Sequence, residues 1–185
     1  NYTPFNDLWS SDNNPAVWTA VGQKGMIPSV RFNSAMAYDT KGDRMVLFGG
    51  NSSPSGLTLT PLDDTYVLDL KTDTWTRVDS TAKPPGTIYH AMTYDSVNDQ
   101  MIIFGGGDAN AFLGPFYSDV WALDMQTLQW TKLYHSVGGN AEPLGRINPA
   151  LIFDESRERV LLFGGHDDSA LGNTNDVWAF TPSTR

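Results

Sequence analysis

The chain is written in short apolar runs set off by turn residues, and three of the runs end alike. Arg44-Met-Val-Leu-Phe48-Gly49-Gly50, Gln100-Met-Ile-Ile-Phe104-Gly105-Gly106 and Arg159-Val-Leu-Leu-Phe163-Gly164-Gly165 lie 56 and 59 residues apart. An apolar run of this length between turn signals predicts a strand buried on both faces. The glycine pair predicts a backbone that turns through positive φ or accepts a close neighbour. Ahead of each run sits a second apolar strand closed by an aromatic and an aspartate: Ala35-Met-Ala-Tyr38-Asp39, Ala91-Met-Thr-Tyr94-Asp95 and Ala150-Leu-Ile-Phe153-Asp154. After each glycine pair comes a loop and a third strand: Asp64-Thr-Tyr66-Val-Leu-Asp69, Asp119-Val-Trp121-Ala-Leu-Asp124 and Asp176-Val-Trp178-Ala-Phe180. A fourth strand opens on tryptophan, Trp75-Thr-Arg-Val78 and Trp130-Thr-Lys-Leu133.

The N-terminus keeps the same register. Asn6-Asp7-Leu8-Trp9 repeats Asn175-Asp176-Val177-Trp178, and Asp7 precedes Trp18 by the eleven residues that separate Asp64 from Trp75 and Asp119 from Trp130. Trp18-Thr-Ala-Val21 is therefore read as a fourth strand, and Ser10-Ser11 make the strand before it a weak one. Each unit is four short strands. A four-stranded sheet with two apolar faces is buried only by stacking on copies of itself, as in a β-propeller.

From Asp7 to Phe180 the chain resembles the kelch-repeat family, whose period is near fifty residues. The resemblance rests on the three Phe-Gly-Gly runs, the Asp-Val-Trp strands, and Trp18, Trp75 and Trp130 at one spacing. It implies an all-β fold of kelch-type β-propeller blades. The expected division is one domain over 1–185, with strands three and four of a partial blade at 1–21. Blades follow at 28–78 and 84–133, and three strands of a further blade at 143–180.

That inventory gives about three four-stranded blades, and propellers close with four to eight. The chain is thus expected to be half of a six-bladed ring or part of a larger propeller. In the first case two chains form a homodimer, and the Trp18 strand of one completes the last blade of the other.

Charge and composition narrow the partners. A formal net charge of −9 argues against nucleic acid, whose phosphates need a basic surface. No apolar run approaches the ~18 residues of a membrane helix. With no cysteine in the chain, disulfides, thiolate zinc sites and cysteine nucleophiles are excluded, as is the cysteine-dependent copper-radical cofactor of kelch-type galactose oxidases. Asn1 and Asn51 head Asn-x-Ser/Thr acceptor triplets, which with the Asn/Ser/Thr-rich loops predict an extracellular protein.

Strands alternate in direction, so the loops between strands two and three share a face with the links between blades. These are residues 51–62, 107–117 and 166–174, with links at 79–86 and 134–145. The opposite hairpins, at 40–43, 71–74, 96–99 and 155–158, are tight turns. The first face is the expected binding face, and Tyr89, Phe112, Phe116, Tyr117 and His166 are its candidate contacts. The resemblance adds Arg31 and Arg146 at the arginine position of the first strand, with Thr87 between them. It also adds His90 at the histidine position, where the other copies have Ser34 and Pro149. These arginines either meet acidic ligands or pair with aspartates of neighbouring loops. Asp167 and Asp168 are the weak candidates for a calcium loop. Asp7, Asp64, Asp119 and Asp176 are expected to accept backbone bonds at the entry to strand three. No nucleophile elbow or converging carboxylate pair is present, so no catalytic residue and no cofactor is predicted. The expectation is a non-enzymatic module for protein partners. A carbohydrate-binding or mutarotase-like propeller using Arg31, Arg146 and His90, and a self-assembling structural unit, are the alternatives.

Overall fold

The computed structural model describes residues 5–12, 17–55, 58–137, 141–168 and 172–182. Its regular elements are strands, apart from one 3-10 turn at Glu155–Arg157. In chain order they are β1 (Trp9–Ser11), β2 (Trp18–Ala20), β3 (Lys24–Gly25), β4 (Ala35–Asp39), β5 (Arg44–Phe48), β6 (Thr65–Asp69), β7 (Thr74–Val78) and β8 (Ala91–Asp95). They continue as β9 (Gln100–Phe104), β10 (Asp119–Asp124), β11 (Trp130–His135), β12 (Arg146–Ile147), β13 (Ala150–Asp154), β14 (Arg159–Asp167) and β15 (Asn173–Phe180).

Three meandering antiparallel sheets follow one another: β4-β5-β6-β7, β8-β9-β10-β11 and β13-β14-β15. The short strands β1 and β2 pair with each other, and β3 adds in parallel to the outer edge of β7. The first strands stand side by side at the inner edge, with β8 between β4 and β13. These are successive propeller blades. The β3 addition had no signal in the sequence, because two residues carry no periodicity.

The hairpins that join the strands are set by the aspartate closing each strand. Asp39 Oδ1 accepts from the N–H groups of Lys41 and Gly42, and Asp69, Asp95 and Asp124 repeat the pattern two and three residues on. The residue ending each turn sits at positive φ: Asp43, Asp73, Asp99, Leu128 and Glu158. A side-chain carboxylate that replaces the missing backbone partners makes the turn, so the recurrence of aspartate is structural.

The core lies between sheets. Val46, Phe48 and Val67 of the first sheet meet Met101, Ile103, Leu123 and Trp130 of the second. On its other face the second sheet presents Ile102, Phe104, Val120 and Ala122 to Val160 and Leu162 of the third. Trp130 is the anchor of the first junction. It is almost wholly buried, its Nε1 donates to Thr65 Oγ1 at 2.9 Å, and its ring lies 5.3 Å from that of Phe48. Burying a side chain of this size stabilises by about 3 kcal/mol.

The glycine pairs dock each blade on the next. Gly50 N–H donates to Thr87 O at 2.9 Å and Gly106 N–H to Arg146 O at 2.8 Å. Gly49 and Gly105 hold φ of +65° and +76°, and a Cβ on Gly105 would stand 2.5 Å from the Arg146 carbonyl oxygen. Both the conformation and the close approach require glycine.

The two ends of the array differ. The first sheet is partly covered by the N-terminal segment, with Leu8 against Leu47, Tyr66, Leu68 and Trp75. The third sheet turns an uncovered apolar face outward, with Ile152 63%, Phe163 52% and Val177 66% exposed. Beyond β15, Thr181 and Pro182 form no fourth strand.

A candidate binding face at the loop end of the blades

Arg31 and Arg146 stand at equivalent positions and do the same work. Arg146 Nη1 donates to Gly164 O at 3.0 Å and Asp176 Oδ1 at 2.7 Å, Nη2 donates to Asp176 Oδ2 at 3.1 Å, and Nε donates to Leu144 O at 3.1 Å. Arg31 repeats the set with Gly49 O, both oxygens of Asp64, and Ser29 O. The guanidinium beside Asp176 holds that carboxyl down at about 2. A planar fork that bridges strand two to strand three explains why the family pattern spaces arginine and aspartate as it does. Both side chains are buried and fully engaged, so neither is available to a ligand. Of the two readings open at the arginine position, pairing with a neighbouring aspartate is the one observed.

The strand-three aspartates are corrected at the same time. Asp64 and Asp176 accept from guanidinium groups rather than from backbone. Asp119, where Thr87 stands in place of arginine, takes Lys132 Nζ at 2.8 Å and His135 Nδ1 at 2.6 Å. Asp7 accepts from Trp9 Nε1 at 2.5 Å.

His90 is also internal. It packs edge-on to Phe48 at 5.3 Å, and neither ring nitrogen has a hydrogen-bond partner. Burial lowers its pKa to about 4. The Phe48 carbonyl opposes that shift without reaching hydrogen-bond geometry. A sugar site built from Arg31, Arg146 and His90 thus loses its polar groups to the interior.

Tyr89 is different. It holds φ of +60°, and the equivalent positions Asn33 and Asn148 hold +55° and +52°. Asparagine tolerates this region, whereas tyrosine is strained in it. The three residues form a chain of backbone bonds around the axis mouth. Tyr89 N–H donates to Asn33 O at 3.3 Å and Asn148 N–H to Tyr89 O at 2.8 Å. The Tyr89 ring lies 6.3 Å from that of Phe112.

Phe112 sits on the loop after β9. A turn nucleated by Asp108, whose Oδ1 accepts from Asn110 N–H at 2.7 Å, buries Ala111 against Ile88 and Leu59. That contact fastens the loops of the first and second sheets together. The same turn lifts Phe112 and Leu113 into solvent, 62% and 87% exposed. Leu113 had no signal in the sequence beyond its place in the loop.

The remaining candidates divide. Phe116 is buried against the His166 ring at 5.8 Å, and its N–H donates to Asp168 Oδ2 at 2.9 Å. Tyr117 is partly buried, and its hydroxyl pKa is raised by burial and then by Asp108 and Asp119. His166 is exposed and pairs with Asn173 Oδ1 at 3.1 Å. β14 and β15 run into both ends of the expected loop 166–174, pairing as far as His166 and Asn173. Asp167 is buried and Asp168 is occupied by Phe116. Among the described residues no three His, Asp or Glu side chains converge to hold a metal ion. Asn51 is buried, its Oδ1 accepting from Ser53 and Thr60 N–H groups, so it does not present a glycan acceptor. Asn1 lies outside the described residues.

Blades with docking glycine pairs, arginine-to-aspartate forks and Asx-turn hairpins define a kelch-type propeller array. The chain belongs to the Kelch-repeat family: the KLHDC2/KLHL20/DRC7 Kelch-repeats domain matches it over residues 1–185. Kelch domain-containing protein 10 of Homo sapiens and of Bos taurus are each 27% identical over 185 residues, covering 99% of this chain. Adagio-like protein 3 of Oryza sativa subsp. japonica is 34% identical over 134 residues, 71% of this chain and 19% of its own length. The chain spans 39% of the length of the Kelch domain-containing protein 10 sequences.

Proposed function

We propose that the chain is a protein-binding module that presents the loop face around Tyr89, Phe112 and Leu113, in a propeller ring completed by a second copy. The observation that carries the first part is the pairing of Phe112 and Leu113 at the tip of a braced turn. Two large apolar side chains held in water by a rigid support suit a partner's apolar pocket. Asp108 and Asp168, which brace the same loop, favour a partner with a basic rim.

Lysines make the face testable. Lys83 lies on the blade link of the binding face, while Lys41 and Lys71 lie on the opposite hairpins. In captured complexes, amine crosslinks to a protein partner should fall on Lys83. The Phe112→Ala, Leu113→Ala pair should weaken that complex by about thirtyfold or more. Crosslinks confined to Lys41 and Lys71, with binding unchanged in the pair, would place the partner on the other face.

A further inference from the structure

The arginine fork that bridges strands two and three is complete in the first and third sheets. In the second sheet its acceptors remain and its cation does not. Arg31 and Arg146 each engage the carbonyl two residues back, the carbonyl of the first glycine of the pair, and the strand-three aspartate. In the second sheet these acceptors are Pro85 O, Gly105 O and Asp119, and Thr87 stands where the arginine would start. Thr87 is too short to span them. Its Oγ1 donates to Pro85 O at 2.5 Å, and among the described residues no guanidinium reaches Gly105 O. A pocket of about 10 Å3 remains, walled by Pro85, Thr87, Gly105, Asp119 and Trp121 among others.

Trp121 shows the same gap from the other side. It follows Asp119 by two residues, as Tyr66 follows Asp64 and Trp178 follows Asp176. Arg31 lies over the Tyr66 ring at 5.4 Å, and Trp178 Nε1 donates to Asp176. Trp121 Nε1 is buried without a hydrogen-bond partner, because Asp119 has turned to Lys132 and His135. Lys132 reaches across from β11 to Asp119 and lies over the Trp121 ring at 5.3 Å. An ammonium is a compact point charge, and this one ends a side chain that is 47% exposed. Ion pairs so open to water are weak, and Lys132 and His135 give way to a better cation.

We propose that the second sheet takes its guanidinium from outside the chain, as an arginine side chain of a protein partner. The source of the arginine rests on the protein-binding reading above; the chemistry of the pocket stands without it. The pocket lies at the loop end of the blade, where the exposed Pro85 belongs to the link 79–86 and Tyr117 to the loop after β9. Lifting Lys132 frees the Asp119 carboxylate and one face of the Trp121 ring. The entering fork bonds Asp119 and Gly105 O together and stacks on the indole, as Arg31 does with Asp64, Gly49 O and Tyr66. Lysine cannot match it, because an ammonium has no planar fork to span carboxylate and carbonyl at once.

Two small cations test the pocket. Ethylguanidinium and ethylammonium are titrated into the nitrogen-labelled native chain while the indole N–H signals are followed. The Trp121 signal is identified by its loss in Trp121→Phe. It should move saturably with ethylguanidinium, with a dissociation constant on the order of millimolar, and about fivefold more weakly with ethylammonium. Thr87→Arg supplies the cation within the chain and should abolish the movement. Asp119→Asn, which has no larger side chain to fit, should abolish it too. An unsaturable drift, an equal response to both cations, or a response unchanged in Asp119→Asn overturns the pocket. In the captured complex, Thr87→Arg and Asp119→Asn should each weaken partner binding about tenfold or more. Binding unchanged in both, with the titration intact, overturns the partner's arginine as the occupant. The Phe112→Ala, Leu113→Ala pair should keep the ethylguanidinium response, so failure of the protein-binding reading is told apart from failure of the pocket.

Discussion

Tyr89 carries a conformational cost and His90 a burial cost, and each makes a prediction. Tyr89 occupies the left-handed region that Asn33 and Asn148 fill in the other repeats. Tyr89→Asn should stabilise the fold by about 1 kcal/mol, read as a shift in the urea midpoint, because the strain of a bulky left-handed residue is released. The same change should weaken partner binding, since Phe112 loses its aromatic neighbour. His90 is buried as the neutral imidazole, with its pKa lowered from 6.5 to about 4. A base with a depressed folded pKa takes up fewer protons folded than unfolded. Its contribution is whole above pH 6.5 and is lost as pH falls toward 4, a swing of about 3 kcal/mol. His90→Leu should flatten urea stability over that window. Asp176, held at about 2, stabilises above the ordinary aspartate range and loses its contribution only as pH falls from about 4 toward 2. The two windows therefore separate. At this scale the sequence was half legible. Arg31, Arg146 and His90 stood out by their repeat positions, but periodicity cannot say whether a regular polar residue faces a ligand or its own strand. The guanidinium fork to Asp64 and Asp176 decides it.

At the scale of the element, the blade was legible because period-two strands, Asx-turn aspartates and glycine pairs all give local signals. The tryptophan strands make the strongest energetic statement. Trp130 fills the seam between the first and second sheets, and Trp130→Ala should cost about 4 kcal/mol in urea unfolding. Thr65→Val keeps the volume and removes the Nε1 acceptor, and should cost about 1–2 kcal/mol. Equal losses in the two variants would mean that the hydrogen bond, rather than the packing, holds the seam. The β3 addition and the extension of β14 and β15 past Gly165 were not legible. Both depend on pairing partners distant in the chain, which local pattern does not encode. The protruding Phe112 and Leu113 were legible only as loop apolar residues, since their exposure follows from the burial of Ala111 beside them.

For the whole molecule, counting strands among the described residues shows a first sheet flanked by two short strands and a third sheet whose meander has three. The structure turns that count into surfaces: the open face of Ile152, Phe163 and Val177 at one end and an exposed Trp18 at the other. An apolar sheet face left in water is an association site. Light scattering of the native chain across a wide concentration range tests this most directly. The account predicts a single closed species of twice 20.4 kDa. A species that stays at 20.4 kDa at every concentration would contradict it.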